Sequence, residues 1–344
     1  MELNRHSDKE AVIISGGVYP ELAQEVSREL GRIKLKNRYI ETNLKKFDSG
    51  ERYTRIAETV RDKDLYVFQT FLEGANGYSV NDAIIENELM IDAGRRASAH
   101  SITSVMPFYP YGRQDRKAYG REPISAARTA ICLAALGVSR IVTFDVHSDQ
   151  TQGYFHGPFD NVTARGLMLN ELKFGSMIGR LGIDDAVVIA PDAGSLKDNE
   201  IFANELGLPV KFIPKARGKN DSAEISRKIL MDLNVENKKC IIVDDIFDTA
   251  GTLVSGAELL KKAGANWIGA YATHGLLSGP AVSRIKNSSI DKVVVTDTVP
   301  QAHHSRELGK QLKVLPICSL LARTIELIHN GESVSDYFDG FGKW

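Results

Sequence analysis

Short apolar runs rich in valine and isoleucine recur along the chain. Each is followed by a turn signal and then by helical spacing. The runs are AVIIS (11–15), LYVFQ (65–69), ITSVM (102–106), RIVTF (140–144), AVVIA (186–190), VKFIP (210–214), CIIV (240–243), WIGAYAT (267–273) and KVVVT (292–296). Continuous apolar runs of about five residues read as strands buried on both faces. Between them, Ala83–Ala99 sets Ile84, Met90, Ile91 and Ala97 near one side of a helix. Pro123 opens a stretch to Leu136, as Pro does at a first helical turn. Leu253–Ala263 ends at Gly264, a C-cap signal, and SLLARTIELIHNG (319–331) reads as one more helix.

Strands alternating with helices predict an α/β fold with largely parallel sheets flanked by helices. Nine strands fit one large sheet or two smaller ones, and a length of 344 residues favours two domains. The boundary is placed near Pro158, after GYFHGPF, giving residues 10–158 and 159–344. The C-terminal tail of the second domain can pack on the first.

Composition narrows the function classes. Hydrophobic residues make up 43%, and Lys plus Arg (43) balance Asp plus Glu (44) to a net charge of -1. Such a chain has no global field drawing it to nucleic acid or an anionic membrane. The opening MELNRHSDKE is polar and lacks the pattern of a secretory signal. No apolar run approaches the roughly 20 residues of a spanning helix. Cys132, Cys240 and Cys318 lie far apart, which fits neither a disulfide framework nor a zinc site. A reducing cytoplasm is the expected home.

The strongest chemical signal is CIIVDDIFDTAGT (240–252): a buried strand, two acids, two apolar residues, then Asp-Thr-Ala-Gly-Thr entering a helix. The carboxyl end of a strand in such a sheet opens into the ligand crevice. Backbone N–H groups of Asp248–Thr252, beside a helix N-terminus, can cradle a phosphate dianion. Thr249 and Thr252 add hydroxyls, while Ala250 and Gly251 let the phosphate approach. Asp244 and Asp245 can accept hydrogen bonds from two vicinal hydroxyls. The set suits a sugar phosphate with a cis diol. It resembles the phosphoribosyl-pyrophosphate loop of phosphoribosyltransferases and of ribose-phosphate pyrophosphokinases, and by itself leaves both open.

Further strings bear on that choice. PYGRQDRK (110–117) follows a strand with three basic groups and an amide; it is either a solvated loop or a nucleotide-phosphate site, with Arg113 and Gln114 as the contacts. No Walker A pattern appears. Phe47, in the polar FDSGERYTRI (47–56), is either a stray surface aromatic or a stacking plate. DVHSDQ (145–150) and APDAGS (190–195) put polar residues at strand ends, where a lone His is either a capping group or a ligand.

From about Ala11 to Phe338 these strings, with VNDAIIENELMIDAGRRASA, REPISA, ATHGLLSGPA, VTDTVP and HNGESVS, resemble the class I ribose-phosphate pyrophosphokinases in content and order. The resemblance implies two phosphoribosyltransferase-like domains and transfer of the β,γ-diphosphoryl group of MgATP to the 1-hydroxyl of ribose 5-phosphate. It implies ATP contacts from Phe47, Ser49, Glu51, Arg113 and Gln114. The order Phe-Asp-Ser-Gly-Glu puts Ser49 where the family usually has an amide or acid. Mg²⁺ would be held by His147 and Asp192, the latter also facing ribose 5-phosphate. IPKARGKNDSAEI (213–225) matches the family's catalytic loop, with Lys215 and Arg217 over the reacting phosphates. Phe47 would come from a neighbouring subunit of a hexamer built from dimers. Ser333 and Ser335, in HNGESVSDYF, match part of an allosteric phosphate site. The competing readings are a phosphoribosyltransferase, which would not need ATP, and a non-catalytic regulator. The nucleotide-side strings count against the first. Retention of Lys215, Arg217, His147 and the loop acids counts against the second.

Overall fold

The computed structural model describes residues 9–175, 182, 183, 185–213 and 233–339. The chain divides into two compact units. Among the described residues the first holds 9–163, 298–300 and 316–339, and the second holds the remainder.

The first unit is built on β1 (Ala11–Ser15), β2 (Asn37–Tyr39), β5 (Asp64–Phe68), β6 (Ser101–Val105), β7 (Arg140–Phe144) and β8 (Phe159–Val162). These form one parallel sheet in the order β2-β1-β5-β6-β7-β8. β1 and β5 are buried throughout, as a sheet covered on both faces requires. Between β2 and β5 the chain makes a separate antiparallel hairpin, β3 (Thr42–Lys46) and β4 (Arg52–Ile56).

Its helices are α1 (Pro20–Arg32), α2 (Val80–Arg96), α3 (Ser125–Leu136) and, from the far end of the chain, Cys318–Asn330. Pro20 occupies the first turn of α1, and Leu22, Ala23, Val26 and Leu30 form its buried stripe. That helix packs against Cys318–Asn330, which buries Leu321, Ile325 and Leu327. α2 begins with a capping box, Ser79 and Asp82 each satisfying the other's backbone N–H.

The second unit repeats the plan with β9 (Ala186–Ala190), β10 (Val210–Phe212), β11 (Lys239–Phe247), β12 (Trp267–Gly275), β13 (Lys292–Thr296) and β14 (Leu312–Leu315). All pairs are parallel, in the order β10-β9-β11-β12-β13-β14. Numbered within each sheet, both orders are 2-1-3-4-5-6. In each, the direction of winding reverses between the first and third strands, where α/β sheets bind ligands. Val187, Ile189, Cys240, Ile242, Ala270 and Val293 lie in the second unit's core with Leu253, Ala257 and Leu260 of helix Gly251–Lys262.

The α/β architecture with two mostly parallel sheets is the one the periodicity predicts, with three corrections of detail. The described residues hold fourteen strands rather than nine; the additions (β2, β3, β4, β8 and β14) are short or half-polar and make no continuous apolar run. α3 starts at Ser125, so Pro123 precedes the helix instead of opening it. β11 continues to Phe247, beyond the apolar CIIV, because β12 pairs with it through the acids. By contrast Gly264, at φ +90°, follows its helix as expected, as does Gly331.

Candidate active site

The second unit's site is at the reversal point. β11 pairs with β9 from Lys239↔Ala186 to Ile242↔Ile189, whereas its pairing with β12 runs on to Phe247↔Gly275. Asp244 and Asp245 sit on that overhang. The chain then turns through Asp248 and Thr249 into helix Gly251–Lys262. Ala250 is the N-cap, in the left-handed region at φ 57° and ψ 14°, strained for a residue with a Cβ. Val254 N–H donates to Ala250 O at 3.0 Å, closing the first helical bond. The N–H groups of Gly251, Thr252 and Leu253 are those a helix leaves without an internal acceptor. They make an anion-binding terminus.

The loop is braced from below. Leu277 N–H donates to Phe247 O and Ser278 N–H to Asp248 O, both at 3.0 Å. Arg284 Nη1 donates to Thr249 O at 2.8 Å. Thr249 and Thr252 remain exposed. A Cβ on Gly251 would meet Arg284 Nη1 at 3.5 Å and Thr249 Oγ1 at 4.0 Å, ordinary contacts that leave it room. Packing does not require a glycine there; a ligand that needs the space would.

Asp192 follows β9. Its Oδ1 accepts from Gly194 N–H at 2.8 Å and Ser195 N–H at 3.1 Å, fixing the carboxylate at the neighbouring strand end. Burial, then the charge and hydrogen bond of Asp245, then the charge of Asp192, push the Asp244 carboxyl up to about 8. Asp245 N–H donates to Asp244 Oδ1 at 3.0 Å. Three carboxylates thus lie within electrostatic reach of one another, an excess of negative charge that hydroxyl donors or a cation would relieve.

In the first unit, Phe47, Ser49 and Glu51 lie at the exposed tip of the β3–β4 hairpin. Phe47 N–H donates to Glu51 O at 2.9 Å and Gly50 N–H to Phe47 O at 2.8 Å. Ser49 Oγ donates to Glu51 at 2.7 Å, so these two side chains act together. Phe47 is 41% exposed, with Tyr53 edge-on at 6.1 Å and Lys45 Nζ 4.7 Å from its ring centre. The loop therefore presents a supported aromatic face to solvent.

Arg113 and Gln114 lie in the loop after β6, and His147 in the loop after β7; all three are exposed. The two loops leave neighbouring parallel strands and are tied together: Tyr154 donates to Asp115 O, and Phe144 N–H to Pro107 O at 3.3 Å. Gln114 accepts from Ser125 Oγ, and Tyr111 donates to Asn81 at 2.8 Å. Tyr111 (φ 59°) and Asp145 (φ 29°) both have positive φ, a concentration of strain typical of binding loops.

Ser333 and Ser335 are exposed at the start of the short helix Val334–Asp339, where Ser333 Oγ accepts from Asp336 N–H at 3.2 Å. Lys215 and Arg217 lie outside the described residues.

Residues that carry no signal of their own in the sequence also converge. Arg52 on β4 pairs with Glu86 on α2, with side chains 7% and 0% exposed. Burial works against the Arg52 charge, but the hydrogen bond and charge of Glu86 hold its pKa above the usual value. Burial, then Glu86, raises Tyr78 above the ordinary phenol range. The one hint in the sequence is an acid on α2 between the core residues Ala83 and Met90: a carboxylate there needs a partner.

Known proteins share this arrangement. Residues 11–137 match the model for the N-terminal domain of ribose phosphate pyrophosphokinase, and 227–339 match the phosphoribosyl synthetase-associated domain. Ribose-phosphate pyrophosphokinase of Corynebacterium efficiens is 38% identical over 340 residues, covering 98% of each chain. That of Caldanaerobacter subterraneus is 42% identical over 326 residues, 95% of this chain and 97% of the relative. The crystal structure of phosphoribosylpyrophosphate synthetase from Mycobacterium smegmatis superposes with a TM-score of 0.81 at 36% identity, covering 93% of this chain and 99% of that one.

Proposed function

The chain belongs to the ribose-phosphate pyrophosphokinase family, and from that premise we propose how its residues divide the synthesis of phosphoribosyl pyrophosphate between two sites. The reaction transfers the β,γ-diphosphoryl group of ATP to the 1-hydroxyl of ribose 5-phosphate and releases AMP. The observation that carries the assignment is the second unit's loop. Helix N–H groups without an internal acceptor, two exposed threonines and a small residue at Gly251 sit beside two acids on a strand overhang.

The 5-phosphate is received by Asp248, Thr249, Ala250, Gly251 and Thr252, and the ring hydroxyls by Asp244, Asp245 and Asp192. Arg113 and Gln114 take the nucleotide phosphates, while Phe47 stacks on adenine with Ser49 and Glu51 at its edge. The 1-hydroxyl attacks the β-phosphorus in line, and the bond to the AMP oxygen breaks. Such chemistry depends mainly on alignment and on stabilising the developing charge. Lys215 and Arg217 supply that charge at the transferred group.

The family is kinase-like and needs a metal. The donors at hand suit Mg²⁺, since an Asp192 oxygen anchored by two N–H groups and a surplus of carboxylate charge are what a hard cation prefers. Asp192 in the second unit and His147 in the first are each proposed as ligands of such an ion, which when bound would neutralise phosphate charge. We place the protein in the cytoplasm; among the described residues no helix is long and apolar enough to cross a membrane.

A homo-oligomer follows from Phe47 completing a neighbour's site. Exposed Ile85 and Leu89 on α2 and Ile131 on α3 offer apolar surface for such contact. Ser333 and Ser335 are the effector phosphate contacts. The first unit extends past Pro158 to Thr163, because β8 pairs with β7, and it takes in 298–300 and 316–339.

Phosphorus NMR of the enzyme with MgATP and ribose 5-phosphate tests the reaction. AMP and a C1-linked diphosphate should appear together. ADP as co-product would indicate transfer of a single phosphoryl group and defeat the mechanism.

A further inference from the structure

We propose that the Arg52–Glu86 ion pair is a positioning device that sets the register and placement of the Phe47–Glu51 loop, occupying for this purpose the first unit's own reversal-point crevice. The inference rests on the adenine role of that loop and concerns residues that touch no substrate.

The two sheets share the strand order 2-1-3-4-5-6, so the first unit has a crevice at the ends of β1 and β5 equivalent to the one holding the second unit's loop. That crevice is filled. A Cβ on Gly16 would lie 2.1 Å from Gln69 Nε2, and one on Gly17 2.2 Å from the Tyr78 hydroxyl. Glu86, fully buried, takes the anion's place. Its carboxylate accepts from Gly17 N–H at 2.8 Å, Gln69 Nε2 at 3.2 Å, the Tyr78 hydroxyl at 2.8 Å and the Arg52 guanidinium. Arg52 also lies over the Tyr78 ring, 4.0 Å from its centre.

Arg52 is not at an arbitrary point of the hairpin. Its cross-strand partner is Lys46, and the pair Lys46↔Arg52 directly brackets the Phe47–Glu51 loop. Lys46 reaches the same helix, donating to Asp82 at 3.0 Å. Both stems of the loop are thus pinned to α2 by charge.

An isolated two-stranded hairpin is marginal in water, so its placement must come from outside. A buried ion pair adds little stability over apolar packing, but it specifies geometry, because any other arrangement leaves a buried charge unpaired. Slipping the hairpin by one residue would turn Arg52 to the opposite face and abandon Glu86. The pair therefore selects one register, and with it one position for Phe47.

The test uses the full-length protein with ATP and ribose 5-phosphate varied separately, plus amide hydrogen exchange over residues 46–52. In R52M/E86Q the ion pair becomes neutral while an acceptor for Gly17 N–H remains. We expect the KM for ATP to rise about tenfold, as for misplacement of a binding group. The KM for ribose 5-phosphate should stay within twofold, and loop exchange should quicken. Arg52→Lys should recover part of the ATP affinity, which a merely bulky role would not predict. A folded R52M/E86Q with ATP KM and loop exchange both unchanged overturns the proposal. If that variant does not fold, Lys46→Met, at the exposed stem, decides: unchanged ATP KM and exchange there also overturn it. Phe47→Ala separates the two readings. An unaltered ATP KM in F47A removes the adenine role itself, whereas a raised one beside an unaltered R52M/E86Q removes only the clamp.

Discussion

Replacing Asp244 with Asn should stabilise the ligand-free protein increasingly as pH rises, while weakening its hold on ribose 5-phosphate. In the folded state the Asp244 carboxyl is raised from 3.8 to about 8 by burial and by Asp245 and Asp192. The folded protein therefore holds a proton that the unfolded chain releases near pH 4. The stability contributed by that proton is complete below pH 4 and is lost as pH climbs through about 8. Four units at about 1.4 kcal/mol each set a ceiling of roughly 6 kcal/mol. Asp244 is partly exposed, and screening reduces the expected effect to about 2–3 kcal/mol. For a chain of this size that corresponds to about 5 °C in Tm. Asn cannot ionise and keeps an oxygen for the Asp245 N–H. Melting of both proteins in chelator at pH 5.5, 7 and 8.5 should show the D244N advantage growing across the series. The KM for ribose 5-phosphate should rise up to about tenfold, the cost of one hydrogen bond between neutral groups. A Tm difference independent of pH, or a D244N less stable than the parent at pH 8.5, would refute this linkage.

Other substitutions probe the remaining parts. Lys215→Ala should lower kcat by about 10²-fold or more in steady-state assays, the loss of one well-placed donor; an unchanged kcat excludes the role. Ala250→Gly removes the left-handed strain at the loop and should raise stability by ~0.5 kcal/mol in chemical denaturation, after allowing for glycine's extra unfolded-state entropy. Arg113→Ala should raise the KM for ATP about tenfold and leave that for ribose 5-phosphate unchanged, since a charged phosphate contact is lost on one side only. His147→Ala should increase the Mg²⁺ concentration needed for half-maximal activity, measured by titration at fixed ATP.

What the sequence reveals follows from what makes a local signal. The strands β1, β5, β7, β9 and β13 are legible because short runs dominated by Val, Ile and other apolar residues fit little besides a strand covered on both faces. The phosphate loop is legible because its chemistry lies within one contiguous string. β14 and the β3–β4 hairpin are not: LKVL and TNLKK are short and half-buried, and neither shows an uninterrupted apolar run. Glu86 escapes for a related reason. Its partners Gly17, Arg52, Gln69 and Tyr78 are scattered over residues 17–78, and only folding brings them to one carboxylate. The shared topology of the two sheets leaves no mark in periodicity, because strand order can repeat when residues do not; it is the family resemblance that implies two domains of one kind.

The shared strand order also gives the two appendages a common address. In the first sheet the β3–β4 hairpin, 42–56, falls between the second and third strands in sequence. In the second sheet the stretch carrying Lys215 and Arg217 falls between β10 and β11, the same interval. In both sheets this is the connection from the second strand to the third, which lies on the other side of the first. Extra length there need not disturb a ladder, so one strand plan can carry a different attachment in each unit.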